Sequence, residues 1–83
     1  MALFTTATFD KAAKDLPDSV RDKALAIGKW VYSNHDDASL TPVDGFEGRQ
    51  ACIIPTADGL YRLTIDIRNF PPNLYLVGLE KVA

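Results

Sequence analysis

The chain predicts an α+β domain in which an N-terminal helical hairpin packs on one face of a small antiparallel sheet, in the order β-α-α-β-β-β. Three observations predict it. Apolar residues recur at helical spacing through the first third. The stretch "YRLTIDIR" (Tyr61 to Arg68) alternates strictly, as a half-buried strand does. Turn formers at Asp58-Gly59 and in "NFPPN" divide the remainder into three extended segments.

Taken in order, Ala2 to Thr5 reads as a short extended start. Thr8 is placed to N-cap "FDKAAKDL", in which Phe9, Ala12, Ala13 and Leu16 share one side. Asp10 falls in the first turn, where the helix dipole favours an anion, and Lys14 near the end. Pro17 stops this helix and Asp18 begins another, which runs over about Ser19 to Ser33. Its stripe is Val20, Ala24, Ile27 and Val31. Leu25, Trp30 and Tyr32 widen the apolar arc, so the helix is expected to touch both the sheet and the first helix. "SNHDDASLTPVDG" reads as loop.

From Arg49 onward the chain is β. Closing a type I′ turn at Asp58-Gly59 puts Ala57 opposite Leu60, Ile54 opposite Leu63 and Cys52 opposite Ile65. Prolines 71 and 72 suit a second turn and exclude a strand. If Arg68 faces Leu74 across it, Asp66 faces Leu76 and Arg62 faces Glu80. The register yields two faces. Cys52, Ile54, Tyr61, Leu63, Ile65, Ile67, Tyr75, Val77 and Leu79 form the side expected under the helices. Arg49, Ile53, Arg62, Thr64, Asp66, Arg68, Leu74, Leu76, Gly78 and Glu80 form the open side.

Eighty-three residues, 47% hydrophobic and 24% charged, make one domain spanning 1–83, too apolar for disorder and too short for a second domain or an internal repeat. A single cysteine cannot form an internal disulfide, and no N-terminal apolar run is long enough for a signal peptide or a membrane span. These features point to the cytoplasm. The net charge of −2 provides no global field for nucleic acid, which makes it an unfavoured direct ligand.

The order of elements, with "FDKAAKDLPDSVRDKALAI", "GLYRLTIDI" and "LYLVGLEK", resembles the RelE/ParE superfamily of small bacterial toxins, HigB-like members included. The resemblance rests on a phenylalanine opening the first helix, a leucine-proline break and a Val-Arg pair starting the second helix. A Tyr-Arg-Leu strand then leads into a final apolar strand with a basic end. It implies a functional sheet face opposite the helices. In nuclease members that face grips mRNA in the ribosome, and Arg49, Arg62 and Glu80 are the residues here that would correspond. The departures are an acidic chain, an aspartate between Arg62 and Arg68, and no histidine or tyrosine after Lys81. ParE-like members are taken to act by binding a host enzyme, which needs no catalytic set.

The expected function is therefore toxicity or inhibition by protein binding, in the manner of a ParE-like toxin or a phage-encoded anti-defence protein. The surface is Arg49, Ile53, Arg62, Thr64, Asp66, Arg68, Leu74 and Leu76, and the partner a bacterial protein target or a cognate antitoxin. A ribosome-dependent mRNA interferase is the alternative, and a homodimer through the apolar face is a third. No cofactor and no metal are expected. His35 stands beside two aspartates but no second histidine exists, so it reads as a solvated helix exit capping the final carbonyls. Cys52 faces the expected core and reads as a small apolar side chain. Trp30 reads as a helix-packing residue.

Overall fold

The computed structural model describes residues 2–83. Strand β1 (Ala2–Thr5) leads into helices α1 (Ala7–Lys14) and α2 (Asp18–Asn34). A 3-10 turn (His35–Asp37) precedes β2 (Thr41–Pro42), β3 (Arg49–Thr56), β4 (Gly59–Asp66) and β5 (Asn73–Lys81). The five strands form one sheet in the order β1-β5-β4-β3-β2. The α+β class holds, and the two-residue β2 adds a strand where a loop was expected.

Thr6, not Thr8, caps α1. Its backbone is still extended (φ −92°, ψ 164°) and its hydroxyl accepts the Phe9 N–H at 3.2 Å, while Thr8 already lies inside the first turn. The Thr6 N–H also donates to the Leu76 carbonyl at 3.1 Å, pinning the corner between β1 and α1 against β5. From that corner α1 doubles back, and β1 runs parallel to β5, pairing from Ala2↔Asn73 to Thr5↔Leu76. The sheet is thus mixed, not wholly antiparallel. A four-residue edge strand has no hairpin to set its sense, so the anchored corner sets it.

Helix α1 ends before Pro17, whose carbonyl accepts the Val20 and Arg21 N–H groups that open α2. Val20, Ala24, Gly28 and Val31 of α2 are buried. Trp30 is not: it is half exposed, because position 30 lies well round the helix from that stripe. Gly28 lets α2 approach the sheet, since a Cβ there would stand 3.0 Å from Leu76 Cδ1. Phe9 and Ala13 of α1 join these residues over Ile54, Tyr61, Leu63, Ile65 and Leu79 to make a single core.

Two register findings decide which side chains reach each face. In the β3–β4 hairpin Thr56 pairs with Gly59, Ile54 with Tyr61 and Cys52 with Leu63, so the tight turn is Ala57-Asp58. A turn centred one residue later requires positive φ at Asp58, and among the described residues only glycines have it. Thr56 stabilises the observed turn, its hydroxyl donating to the Gly59 carbonyl at 2.8 Å and accepting the Asp58 N–H at 3.1 Å. The register moves by two residues relative to expectation, which leaves the two faces unchanged.

The β4–β5 pair differs. Arg62 faces Glu80 as expected, and Thr64 faces Gly78, but Ile65 then faces Leu76 because Val77 is bulged out of the ladder. One extra residue reverses the alternation beyond it. Leu74 and Leu76 accordingly turn to the helices and are 0% exposed, while Tyr75, expected in the core, faces the other way. Val77 is the unpaired, half-buried residue itself. No helix among the described residues is long and apolar enough to cross a membrane.

Candidate functional site

The open face of the sheet carries three zones. At one end Pro55 and Leu60 are paired and Ile53 stands two residues along, with Leu60 39% and Ile53 52% exposed. Val82 lies beside them, its N–H donating to the Leu60 carbonyl. Ala51, Thr64 and Gly78 cross the middle as a row of small residues. At the far end Phe4 stacks on Tyr75 with ring centroids 5.1 Å apart, next to Asp66 and the arginines. The small row leaves a saddle between two bulkier banks. Its β2 end opens into a recess of about 420 Å³ reached by Thr41, Val43, Ala51, Ile53 and Arg62.

Each arginine on this face holds a carboxylate of its own chain. Arg62 donates to Glu80 across the strands. Arg68 contacts Asp66 through its backbone N–H at 2.9 Å, Nε at 3.1 and 3.2 Å, and a terminal nitrogen at 2.8 Å. Arg49 Nε lies 3.9 Å from Asp66, and its guanidinium sits 4.9 Å from the centroid of the exposed Phe46 ring. Asp66 is 5% exposed although no helix covers it, because these arginines roof it. Burial pushes its carboxyl upward, but the Arg68 hydrogen bonds and the charges of Arg68 and Arg49 outweigh that and hold it below its ordinary value. The same contacts, led by the hydrogen bond to Asp66, raise Arg68.

Local backbone positions this hub. Gly48 adopts φ +77°, and a Cβ there would overlap Arg68 Cγ. Its carbonyl accepts the Ile67 N–H at 2.8 Å, tying the loop before β3 to the end of β4.

Of the expected surface, Arg49, Ile53, Arg62, Thr64, Asp66 and Arg68 are brought together on the open face. Leu74 and Leu76 are removed from it by the bulge at Val77. The apolar positions that reading missed are Phe4, Tyr75, Leu60 and the neighbouring Phe46. Gly78 carried the signal for two of them, since a glycine inside a strand pattern marks a bulge.

The other singled-out residues stand apart from the saddle. His35 stands at the C-cap of α2 and begins the 3-10 turn, and its ring lies 5.2 Å from that of Phe70. The His35 Nε2 is buried with no hydrogen-bond partner among the described residues, at a recess formed with Tyr32, Asn34 and Pro71. No group of histidine, cysteine and carboxylate side chains among the described residues is arranged to hold a metal. Cys52 packs partly against the core on the helix side, and burial pushes its thiol above the usual value.

No protein-family model, curated protein or solved structure matches this chain.

Proposed function

We propose that this protein acts by binding another protein through the open sheet face, as a ParE-like toxin or a phage-encoded inhibitor would. One observation carries the reading: the face's arginines are engaged by carboxylates of the same chain while Ile53, Leu60, Phe4 and Phe46 stand exposed. Apolar and aromatic side chains mixed with arginine are what protein interfaces favour. A saddle of small residues between raised banks offers shape to a partner's protruding side chains. The revised surface is Arg49, Ile53, Arg62, Thr64, Asp66 and Arg68, with Phe46 and Leu60 in place of Leu74 and Leu76.

The mRNA interferase reading asks more of the same residues. Arg62 and Glu80 would have to release each other before either could meet a phosphate or a hydroxyl. Asp66 likewise occupies Arg68.

The test is expression in a bacterial host, comparing the natural chain with a Phe46→Ala/Ile53→Asp variant of unchanged circular dichroism. Growth arrest by the natural chain, relieved in the variant, is the expected result. An equally toxic variant overturns the proposal. Cleavage of translated message by primer extension, lost on Arg62→Ala or Glu80→Ala, transfers the function to the enzyme.

A further inference from the structure

The two edges of the sheet are finished differently. At the β2–β3 edge, β2 covers Gln50 and Ala51 and the Val43 N–H takes the Arg49 carbonyl. Pro55 offers no N–H there, and Lys23 Nζ donates to its carbonyl at 3.3 Å. Prolines and a lysine are the devices that keep a sheet edge from recruiting another strand. The β1 edge has none of them. "ALFT" contains no charge, no proline and no bulge.

Its hydrogen-bonding groups follow from the observed ladder. Backbone groups alternate sides along a strand, and the Thr6 N–H bonds Leu76. Phe4 therefore directs its N–H and carbonyl toward β5, and Leu3 and Thr5 direct theirs away from the sheet. Among the described residues no hydrogen bond to these outward groups occurs.

We propose that β1 pairs antiparallel with β1 of a second copy of this chain, across a two-fold axis at Phe4. That register sets Leu3 opposite the copy's Thr5 and Thr5 opposite its Leu3, so all four outward groups of each strand bond at once. Centring the axis on Thr5 would set Leu3 opposite the copy's Ala7, which is already helical, and satisfies only part of the set. The same axis places Phe4 opposite its own copy as a non-hydrogen-bonded pair, the arrangement in which side chains come closest. Each Phe4 is 44% exposed and already stacked on Tyr75, so the aromatic row continues across the axis on the open face. On the helix side Leu3, only partly buried, gains the copy's Thr5 as a neighbour. The uncharged strand lets two copies of net charge −2 meet without repulsion at the contact. The joined sheet would have ten strands and two open faces side by side.

A strand pair this short buries well under the roughly 1,600 Å² of a standard interface. Association is accordingly weak, on the order of 10–100 µM.

Sedimentation equilibrium from about 5 µM to about 1 mM brackets that range. The expected mass rises from 9.1 kDa toward twice that value. Thr5→Pro removes an N–H that has no partner among the described residues and should weaken the dimer about tenfold or more. Amide exchange in the natural chain needs no variant: the Leu3 and Thr5 amides should slow only at high concentration. A chain that stays monomeric throughout, or Leu3 and Thr5 amides that exchange equally fast at both ends of the range, overturns the proposal. So does a Thr5→Pro variant, folded by circular dichroism, that dimerises as well as the natural chain. Dimerisation lost on Ile53→Asp and kept on Thr5→Pro assigns the contact to the open face instead. Growth arrest is read separately, so it can fail while the dimer stands.

Discussion

Truncating Leu76 tests the bulge at Val77 directly, because the bulge alone decides whether that side chain is core or surface. Leu76 is 0% exposed, and its methyl groups would lie 3.0 and 3.1 Å from a Cβ placed on Gly28. Leu76→Ala should cost about 2–5 kcal/mol, the loss for a buried leucine including its cavity. Uninterrupted alternation would leave it on the open face, where the cost is about 0.5 kcal/mol. The whole domain is worth roughly 4–12 kcal/mol by its length, so the difference is large. Gly28→Ala supplies the second arm. It gains about 1 kcal/mol of helix propensity but loses about 1–3 kcal/mol to overpacking against Leu76. In the Leu76→Ala background the obstructing methyls are gone, and Gly28→Ala should become stabilising by about 1 kcal/mol. Urea denaturation of the four proteins reads the coupling, expected at about 1–3 kcal/mol. With a slope near 1 kcal/mol per molar, Leu76→Ala alone lowers the midpoint by about 2 M or more. A small loss for Leu76→Ala, or strictly additive effects, would refute the packing argument.

Asp66→Asn should destabilise the domain at neutral pH and lose that effect in acid. The folded carboxyl lies below its unfolded value, so its stabilisation is complete above about pH 5 and fades as pH falls through the lowered folded value. Urea midpoints of the two proteins should converge as the pH falls through that lowered folded value. Gly48→Ala should cost about 1–3 kcal/mol in thermal or urea unfolding, from a positive φ and from displacing Arg68 off Asp66. Arg62→Ala, by contrast, breaks an exposed cross-strand pair and should change stability by about 0–1 kcal/mol.

The parts of the fold legible in the sequence are those set by periodicity. Val20, Ala24 and Val31 declare the buried side of α2, and Tyr61, Leu63 and Ile65 declare that of β4, because burial selects residues at the element's own period. The exact hairpin register was less legible. Thr56 closes the turn one residue earlier than the aspartate-glycine signal suggests, yet the two-residue shift is harmless to the faces. Leu74 and Leu76 were misplaced for a different reason: a single bulged valine, hinted at only by the neighbouring Gly78, reverses the phase of everything beyond it, and that phase depends on α2 claiming Leu76 at Gly28. The sense of β1 was likewise unreadable, since a corner bond from Thr6 to Leu76 spans most of the chain. On the open face, the positions of Arg49, Ile53, Arg62, Thr64 and Asp66 followed from parity, and those of Phe4 and Tyr75 depended on the bulge and on β1.

The carboxylates set against the three open-face arginines, Glu80 on Arg62, Asp66 shared by Arg49 and Arg68, and Glu47 acting on Arg68 through its charge, also set how a partner would arrive. A surface whose cations are already matched projects little potential beyond about 8 Å at physiological salt, so encounters there are not steered. Association rates would sit near the unsteered ~10⁵–10⁶ M⁻¹s⁻¹ and change little between low and high ionic strength. Selectivity for a partner would then reside in residence time, in how long the saddle and its flanking rings retain what diffusion delivers.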